Sequence, residues 1–180
     1  MTVRAEATSD WPAVRSVHLA AFVGDHGKVV ANLVDDLRDL GEGLSLVAVQ
    51  RDQVVGHAMF SPSLLDAPKR LVQVQVLSPI GVLPAFQKQG VGSALIGRGL
   101  EVLAERGVPL VFLEGDPAYY SRFGFESAAD HEFRKPSLRI PDAGFQVFRL
   151  PDYEPWMTGT LVYSEPFWRH DLVGLRDPDA

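Results

Sequence analysis

The chain has 180 residues and a net charge of −6, so a single domain is the simplest organisation and a basic surface for nucleic acid is not expected. It contains no cysteine, which excludes a disulfide scaffold, a thiolate metal site and a catalytic thiol. The N-terminus has no apolar signal segment and no apolar run approaches the ~20 residues of a membrane span, so we expect a cytoplasmic protein without a membrane partner.

Apolar patterning in the first half of the chain predicts an alternation of strands and helices. The predicted helices are residues 11–22, which Asp10 would cap, and 28–40, which Gly41 would end. The predicted strands are residues 2–7, 44–50, 54–61 and 70–82, of which the second and third form a hairpin. Pro79 and Gly81 interrupt the last of these strands, and such breaks indicate a bulge or a close approach of backbone.

The second half continues with a helix over residues 92–106, a strand over 110–114 and a helix over 118–123 that Asp116 and Pro117 open. Strands over 145–150 and 160–164 follow, and an irregular tail ends the chain. The central strand–helix–strand unit implies a parallel pair, whereas the hairpins imply antiparallel neighbours. We therefore predict an α/β fold with a mixed sheet and helices on both faces. It forms one domain over 1–180, in which 126–180 supply the C-terminal strands and tail.

The segment FQKQGVGS, residues 86–93, lies between the long strand and the central helix. It does not fit the triphosphate-binding pattern G-x-x-x-x-G-K-[ST], because Ser93 follows Gly92 directly. The dinucleotide pattern G-x-G-x-x-G fits weakly, because Leu95 stands at the third glycine and the loop after Val82 is long. A glycine-rich turn without a ligand is a further interpretation.

Binding of a diphosphate explains the segment better. Gln87, Gly90 and Gly92 have the spacing Q-x-x-G-x-G, and Gly92 enters the helix, whose free N–H groups attract anions. Glycine removes the Cβ that would keep a pyrophosphate at a distance. Lys88 and Gln87 add side-chain donors. The diphosphate would bind without a metal, because no acidic residues cluster nearby.

Two motifs resemble those of a known superfamily. V-x-P-x-x-Q-x-x-G-x-G, from Val82 to Gly92, resembles the acyl-CoA pyrophosphate motif of the GNAT superfamily of N-acetyltransferases. The later string YSRFGF, from Tyr120 to Phe125, resembles the Y-x-x-x-G-F of the same superfamily. A bacterial subgroup with the string G-D-P-x-x-Y-x-R-F-G-F is more similar still, and it shares a late strand like FQVFRL and a tail like G-x-x-x-Y. The resemblance covers about the whole chain and implies the GNAT fold with a splayed central sheet.

The resemblance implies transfer of acetyl from acetyl-CoA, the donor substrate, to a primary amine by direct attack in a ternary complex. The acceptor would be a small molecule or a peptide amine, and no metal would take part. Backbone N–H groups of residues 80–82 would face the pantetheine arm and the thioester oxygen. The residues implied to contact acetyl-CoA are Ile80, Gly81, Val82, Leu83, Gln87, Lys88, Gln89, Gly90, Val91, Gly92, Ser93, Tyr120 and Phe123.

The resemblance places Tyr120 at the position of the general acid, which would protonate the departing thiolate. A free tyrosine has a pKa of about 10, so its hydroxyl is protonated at neutral pH. Tyr119 is the weaker candidate. Glu114 could deprotonate the amine directly or through water, although a solvated carboxylate at a strand end explains it as well. His57 lies in a predicted strand and is a further candidate, although an isolated histidine is more often structural.

In this superfamily the acceptor pocket is built largely from the first helices and the tail. The corresponding residues here are Phe22, His26, Asn32, Trp156, Tyr163, Phe167 and Trp168. The aromatic residues of the tail could instead pack internally or join two copies of the chain in a homodimer. Two alternatives to the enzyme stay open, a non-catalytic CoA-binding module that acts as a sensor and an oxidoreductase that binds NAD.

Overall fold

A computed structural model describes residues 1–177 of the chain. Its α-helices are α1 (Trp11–Ala21), α2 (Asp25–Arg38), α3 (Val91–Glu105), α4 (Pro117–Tyr120) and α5 (Glu165–Arg169). Its strands are β1 (Thr2–Ala5), β2 (Leu44–Gln50), β3 (Gln53–Asp66), β4 (Leu71–Val82), β5 (Leu110–Glu114), β6 (Glu126–Ser127), β7 (Phe133–Arg134), β8 (Phe145–Arg149) and β9 (Gly159–Val162). The contacts divide this chain into two compact units, 1–61 with 77–103, and 62–76 with the described residues from 104 onward.

The first unit is an antiparallel sheet with helices on both faces. Strand β1 pairs with β2, and β2 pairs with the first part of β3. Side chains alternate between the faces of a strand. In β3, Phe60 lies so close to Gly99 of α3 that a Cβ there would collide with its ring. His57, on the opposite face of β3, contacts His18 of α1.

The second unit contains the parallel pair. Strand β4 is parallel to β5, with Gln75 opposite Val111 and Val76 opposite Phe112. Strand β8 is antiparallel to both β5 and β6. Strand β9 is antiparallel to the last part of β3 and parallel to β7. Phe112 is fully buried, and its ring centre lies 5.1 Å from that of Phe133 and 5.7 Å from that of Phe145.

The predicted α/β class with a mixed sheet is confirmed, and several local predictions need correction. Asp10 does not cap α1, because its carboxylate accepts hydrogen bonds from Arg4 and from the Ala7 N–H instead. Helix α2 begins and ends earlier than predicted, and β1 ends at Ala5. The tail is less irregular than predicted, because Glu165–Arg169 form α5. Pro166 lies in the first turn of this helix, where proline is well tolerated.

Two further features bear on function. Among residues 1–177, none of the helices has both the length and the apolar composition that crossing a bilayer requires. Those residues also contain no group of three or more His, Cys, Asp or Glu side chains placed to hold a metal ion. The end of the predicted tail, residues 178–180, lies outside the described residues.

Candidate active site

The loop between β4 and α3 is held by its own side chains. The Gln87 amide donates to the Val82 carbonyl at 3.1 Å, and the Gln89 amide donates to the Ala85 carbonyl at 2.9 Å. One predicted donor for a ligand, Gln87, therefore also fixes the loop to the end of β4. Lys88 and Gly90 have φ angles of 60° and 84°, in the left-handed region that favours glycine. The loop therefore has a defined turn conformation. Every residue from Pro84 to Gly90 except Phe86 is exposed.

The loop leads into the N-terminus of α3. The Ala94 N–H donates to the Gly90 carbonyl at 3.0 Å, which is the first hydrogen bond of this helix. The N–H groups of the first turn, Val91 to Ser93, have no carbonyl within the helix to accept from them. There is no acidic residue in that turn. The positive end of the helix dipole and the exposed Lys88 thus favour an anion here.

Close packing fixes α3 and the end of β4. A Cβ at Gly56 of β3 would lie 2.8 Å from a Val91 methyl and 3.1 Å from Leu95, so the start of α3 rests directly on this strand. The Leu83 N–H donates to the Val55 carbonyl at 2.9 Å. A Cβ at Gly81 would lie 3.0 Å from His18 Nδ1. The glycine predicted from the sequence to allow a bulge is therefore needed to admit the imidazole of His18.

Tyr120 lies at the end of α4 in the second unit. Asp116 caps this short helix as predicted, with its carboxylate accepting from the Ala118 N–H at 2.9 Å. The Tyr120 ring packs against Gly115, where a Cβ would collide with it, and lies 5.9 Å from the ring of Phe125. Burial, aided by the neighbouring Tyr119, raises the pKa of Tyr120 to about 12. The hydroxyl therefore keeps its proton at every physiological pH.

Phe123, another residue expected to contact the donor, belongs to the same segment of the second unit. Its ring lies 5.5 Å from that of Tyr119, and the Arg122 guanidinium lies 4.5 Å from the Tyr119 ring centre. Gly124 follows with a φ of 93° and ends the segment. Tyr119 therefore packs against both Phe123 and Arg122.

Glu114 is bound on both carboxylate oxygens by the C-terminal segment. The Tyr163 hydroxyl donates to Oε1 at 2.8 Å, and the Gly174 N–H donates to Oε2 at 3.1 Å. Burial raises the pKa of Glu114 above its ordinary value, although these two hydrogen bonds and the charge of Arg139 oppose that shift. The predicted alternative of a solvated carboxylate is wrong, because Glu114 is partly buried and hydrogen-bonded.

The predicted acceptor residues belong to both compact units. In the first unit, the Phe22 ring lies 6.0 Å from that of His18 and 5.6 Å from that of His26. Asn32 is exposed and accepts from Arg15. In the second unit, the rings of Tyr163 and Phe167 lie 5.0 Å apart. Trp168 donates to the Tyr163 carbonyl at 3.3 Å, whereas Trp156 lies under Lys69 and Arg70.

Sequence reasoning missed the buried partners of His57. This histidine is not isolated, because it lies 2.7 Å from His18 and 2.8 Å from the Ser45 hydroxyl. His18 lies on the buried face of α1, together with Val14 and Val17. A polar residue in a buried helical stripe was the signal that could have singled it out.

The chain is similar to known proteins over most of its length. A family model described as an acetyltransferase (GNAT) domain matches residues 2–128. Over 174 residues the chain is 38% identical to the uncharacterized N-acetyltransferase YhbS of Escherichia coli K12, a match that covers 94% of this chain and 99% of YhbS. It is 33% identical to the uncharacterized N-acetyltransferase YjhQ of the same strain, over 95% of this chain and 90% of YjhQ.

Solved structures agree with these matches. The crystal structure of E. coli YhbS in complex with CoA has a TM-score of 0.83 and 37% identity, covering 93% of this chain and 92% of that chain. A GNAT family acetyltransferase from Brucella melitensis, in complex with acetyl-CoA, has a TM-score of 0.74 and 33% identity, covering 92% and 97% of the two chains.

Proposed function

This chain belongs to the GNAT family of N-acetyltransferases, and we propose that it transfers the acetyl group of acetyl-CoA to a primary amine of a small molecule or peptide. Two relatives that match over more than nine tenths of the chain were crystallised with CoA and with acetyl-CoA. Acetyl-CoA supplies an activated thioester, which an amine can attack directly. The absence of cysteine from this chain supports direct attack rather than an acyl-cysteine intermediate.

The observation that carries the proposal is the loop from Val82 to Ser93. Its exposed turn, the left-handed Gly90 and the first turn of α3 fit a pyrophosphate, because they offer N–H groups without acidic neighbours. Lys88 adds a positive charge at the same place. Strand β4 pairs with β5 at Gln75 and Val76, and residues 80–82 follow farther along β4. Their backbone groups would hold the pantetheine arm and the thioester oxygen.

Tyr120 would act as the general acid. Its hydroxyl holds a proton at Oη, and the raised pKa keeps that proton in place until the thiolate departs. A thiolate leaving group needs such a proton, because the free thiol has a pKa of about 8.5. Phe123 would complete the contacts to the donor from the same segment.

Glu114 stays a candidate for the general base. Its raised pKa supports this role, since a more basic carboxylate takes a proton more readily. Its two hydrogen bonds to the C-terminal segment support a second role, as the anchor of that segment. The two roles differ in what the variant Glu114→Gln would change, which is the pH–rate profile in one case and the stability in the other.

Binding and turnover test the proposal in two steps. We expect calorimetric titration to give saturable 1:1 binding of acetyl-CoA and none of NAD. A panel of polyamines, amino acids, aminoglycosides and peptides is then assayed for released CoA with a thiol-reactive dye, which has no background here because the protein lacks cysteine. Binding without turnover would favour the non-catalytic CoA-binding module. Binding of NAD but not of acetyl-CoA would contradict the proposal.

Three further expectations complete the proposal. We propose that residues 1–180 act as one domain, since β3 and β4 each run through both compact units. A cytoplasmic location is compatible with the cysteine-free sequence. A homodimer is testable by sedimentation, and Trp168, which is 43% exposed, is a candidate for its contact.

A further inference from the structure

The imidazole of His18 lies between two neighbouring strands of the first unit. Its Nε2 is 2.7 Å from Nδ1 of His57 on β3. On β4 it meets Gly81, where a Cβ would lie 3.0 Å from His18 Nδ1 and 3.2 Å from Cε1. The imidazole is 0% exposed. One buried ring therefore contacts both β3 and the part of β4 that is expected to hold the thioester.

A chain of hydrogen bonds holds this ring. His57 Nε2 lies 2.8 Å from the Ser45 hydroxyl oxygen on β2, and the Ser45 hydroxyl donates to Glu6 Oε2 at 2.7 Å. Arg38 of α2 donates to both oxygens of Glu6, at 2.6 Å from Nη2 and 3.1 Å from Nε. We call His57, Ser45, Glu6 and Arg38 the anchor chain, because it ties the imidazole of α1 to β3, β2 and α2.

The anchor chain selects one tautomer and one orientation of the His18 ring. The Glu6 carboxylate, paired with Arg38, can only accept, so the Ser45 hydrogen points to Glu6. The Ser45 oxygen then accepts from His57 Nε2–H, and His57 Nδ1 accepts from His18 Nε2–H. Burial lowers the pKa of His18 and of His57 to about 3, so both rings are neutral at physiological pH and these directions persist.

A histidine at this position lowers the stability of the core. Its Nδ1 is buried and has no hydrogen-bond partner among the described residues. A buried polar atom without a partner is destabilising and calls for an explanation. The other buried residues on this face of α1, Val14 and Val17, are apolar, so an apolar side chain would suit the position better for stability alone. A ring of fixed position next to Gly81 supplies the explanation.

We propose that His18 is a positioning residue of the acetyl-CoA site, whose imidazole, held by the anchor chain, sets the position of β4 at Gly81. The backbone N–H groups of residues 80–82 are expected to face the thioester oxygen, and donors to a developing oxyanion act at about 2.7–3.1 Å from it. A small displacement of β4 therefore weakens these contacts. His18 itself takes up no proton and does not touch the substrate. The inference rests on the proposed acetyl transfer.

The variant Gly81→Ala tests which side of the contact yields. Its Cβ would lie closer to His18 than ordinary van der Waals contact allows, so one partner has to move by a few tenths of an ångström. Since the anchor chain holds the ring, we expect β4 to move. A displacement of about 1 Å in a catalytic group can cost about 10²-fold in rate, so this smaller one should lower kcat about three- to tenfold.

Loosening or removing the ring should relieve the collision. Ser45→Ala interrupts the anchor chain, so the loss that Gly81→Ala causes should be smaller in a Ser45→Ala background than in the wild type. In a His18→Ala background the ring is absent, and Gly81→Ala should add no further loss to that of His18→Ala itself. Ser45→Thr keeps the hydroxyl and should restore the wild-type rate.

Acetyl-CoA labelled with ¹³C at the carbonyl carbon reports the same contact without an acceptor amine. Hydrogen bonds to the thioester oxygen withdraw electron density from this carbon, so its NMR signal should move downfield when the labelled acetyl-CoA binds to the wild type. At saturation, the downfield displacement should be smaller in Gly81→Ala and in His18→Ala than in the wild type. A loss of stability alone would not move this signal, because it is measured on folded, saturated protein.

Two glycines of α3 provide controls in the same unit. Gly99→Ala is the matched variant, because its Cβ would collide with the Phe60 ring, on the face of β3 opposite to His57. It should lower stability but leave the carbonyl signal and kcat at their wild-type values. Gly97→Ala has open space around its Cβ and should change neither stability nor signal by steric conflict.

A wild-type carbonyl signal and wild-type kcat in Gly81→Ala would overturn the proposal. Equal losses from Gly81→Ala in the wild-type and His18→Ala backgrounds would overturn it as well. If His18→Ala does not fold, the Ser45→Ala background decides in the same way. A wild type that does not bind acetyl-CoA would contradict the proposed function too, whereas binding with an unmoved signal in Gly81→Ala would contradict this inference alone.

Discussion

The Tyr163 hydroxyl donates a hydrogen bond of 2.8 Å to Glu114 Oε1 and so joins the residue after β9 to the end of β5. Gly174 occupies the other oxygen of the same carboxylate through its N–H. A Cβ at Gly174 would lie 2.6 Å from the backbone of Arg139, so the C-terminal segment fits closely where it meets Glu114. Glu114 therefore holds the segment that follows α5.

Removal of the Tyr163 hydroxyl should destabilise the protein. Burial and the charge of Glu114 raise the pKa of Tyr163, so its hydroxyl is a permanent donor. In Tyr163→Phe an oxygen of the Glu114 carboxylate loses this partner, and we expect the free energy of unfolding in urea to fall by about 1–3 kcal/mol. The control is Tyr153→Phe, in a tyrosine that packs on Phe133 and lies under Arg149. Equal losses in both variants would contradict the role of the hydrogen bond.

The pH dependence of stability should report the raised pKa of Glu114. Since the folded protein then binds this proton more tightly than the unfolded chain, stability falls as the pH rises from about 4.3, the ordinary pKa of glutamate, through the folded pKa. Glu114→Gln cannot ionise. The free energy of unfolding of this variant, relative to that of the wild type, should therefore increase as the pH rises through that window. A relative stability that falls over the same window would show that the pKa is lowered instead.

The local patterns of the sequence predicted most elements because periodicity and capping are local properties. Strand β5 has the predicted bounds, and Asp116 caps α4 as expected. Asp10 shows where a local rule fails. Its carboxylate can accept either from the helix that it precedes or from Arg4 on β1. It accepts from Arg4, because a bidentate pair with a guanidinium is the stronger interaction.

The partners of the candidate site depend on the fold. His18 and His57 are 39 residues apart, and Glu114 and Tyr163 are 49 apart. No local pattern pairs such residues, because the sheet pairing decides which of them meet. Gly81 illustrates the same limit. The sequence indicated a close approach at this glycine, but only the packing of α1 shows that an imidazole makes it.

Replacement of Tyr120 by phenylalanine should lower the rate equally across a wide pH range. The pKa of Tyr120 is about 12, so the wild-type hydroxyl stays protonated from about pH 6 to about pH 10. We expect kcat to fall about 10²–10⁴-fold at every pH in this range. Tyr119→Phe, in the neighbouring tyrosine, should retain the rate. A deficit that changes with pH would point to another acid.

The substitution Gly115→Ala should displace the Tyr120 ring without removing its hydroxyl. The new Cβ would collide with Cε2 of the ring and lie 2.9 Å from Cδ2, so the ring has to move. A displacement of about 1 Å in a catalytic group can cost about 10²-fold in rate, and we expect a loss of that order in kcat. The matched control is Gly144→Ala, whose Cβ would lie 3.6 Å from the Gly115 carbonyl, an ordinary contact. Equal rates for the two variants would mean that the position of Tyr120 is not critical.

A negative charge in the loop should weaken the binding of acetyl-CoA. Gly90 has a φ of 84° and open space where a Cβ would lie, so Gly90→Glu places a carboxylate at the N-terminus of α3 without a collision. Repulsion from the phosphates should raise Kd at least about tenfold by calorimetry. Gly41→Glu is a close control, because Gly41 also has a positive φ, 74°, and open space, and lies in the turn after α2, which ends at Arg38. Both variants place a glutamate at a positive φ, so they add the same charge and a similar backbone strain. If they bind acetyl-CoA equally well, the loop does not hold the pyrophosphate.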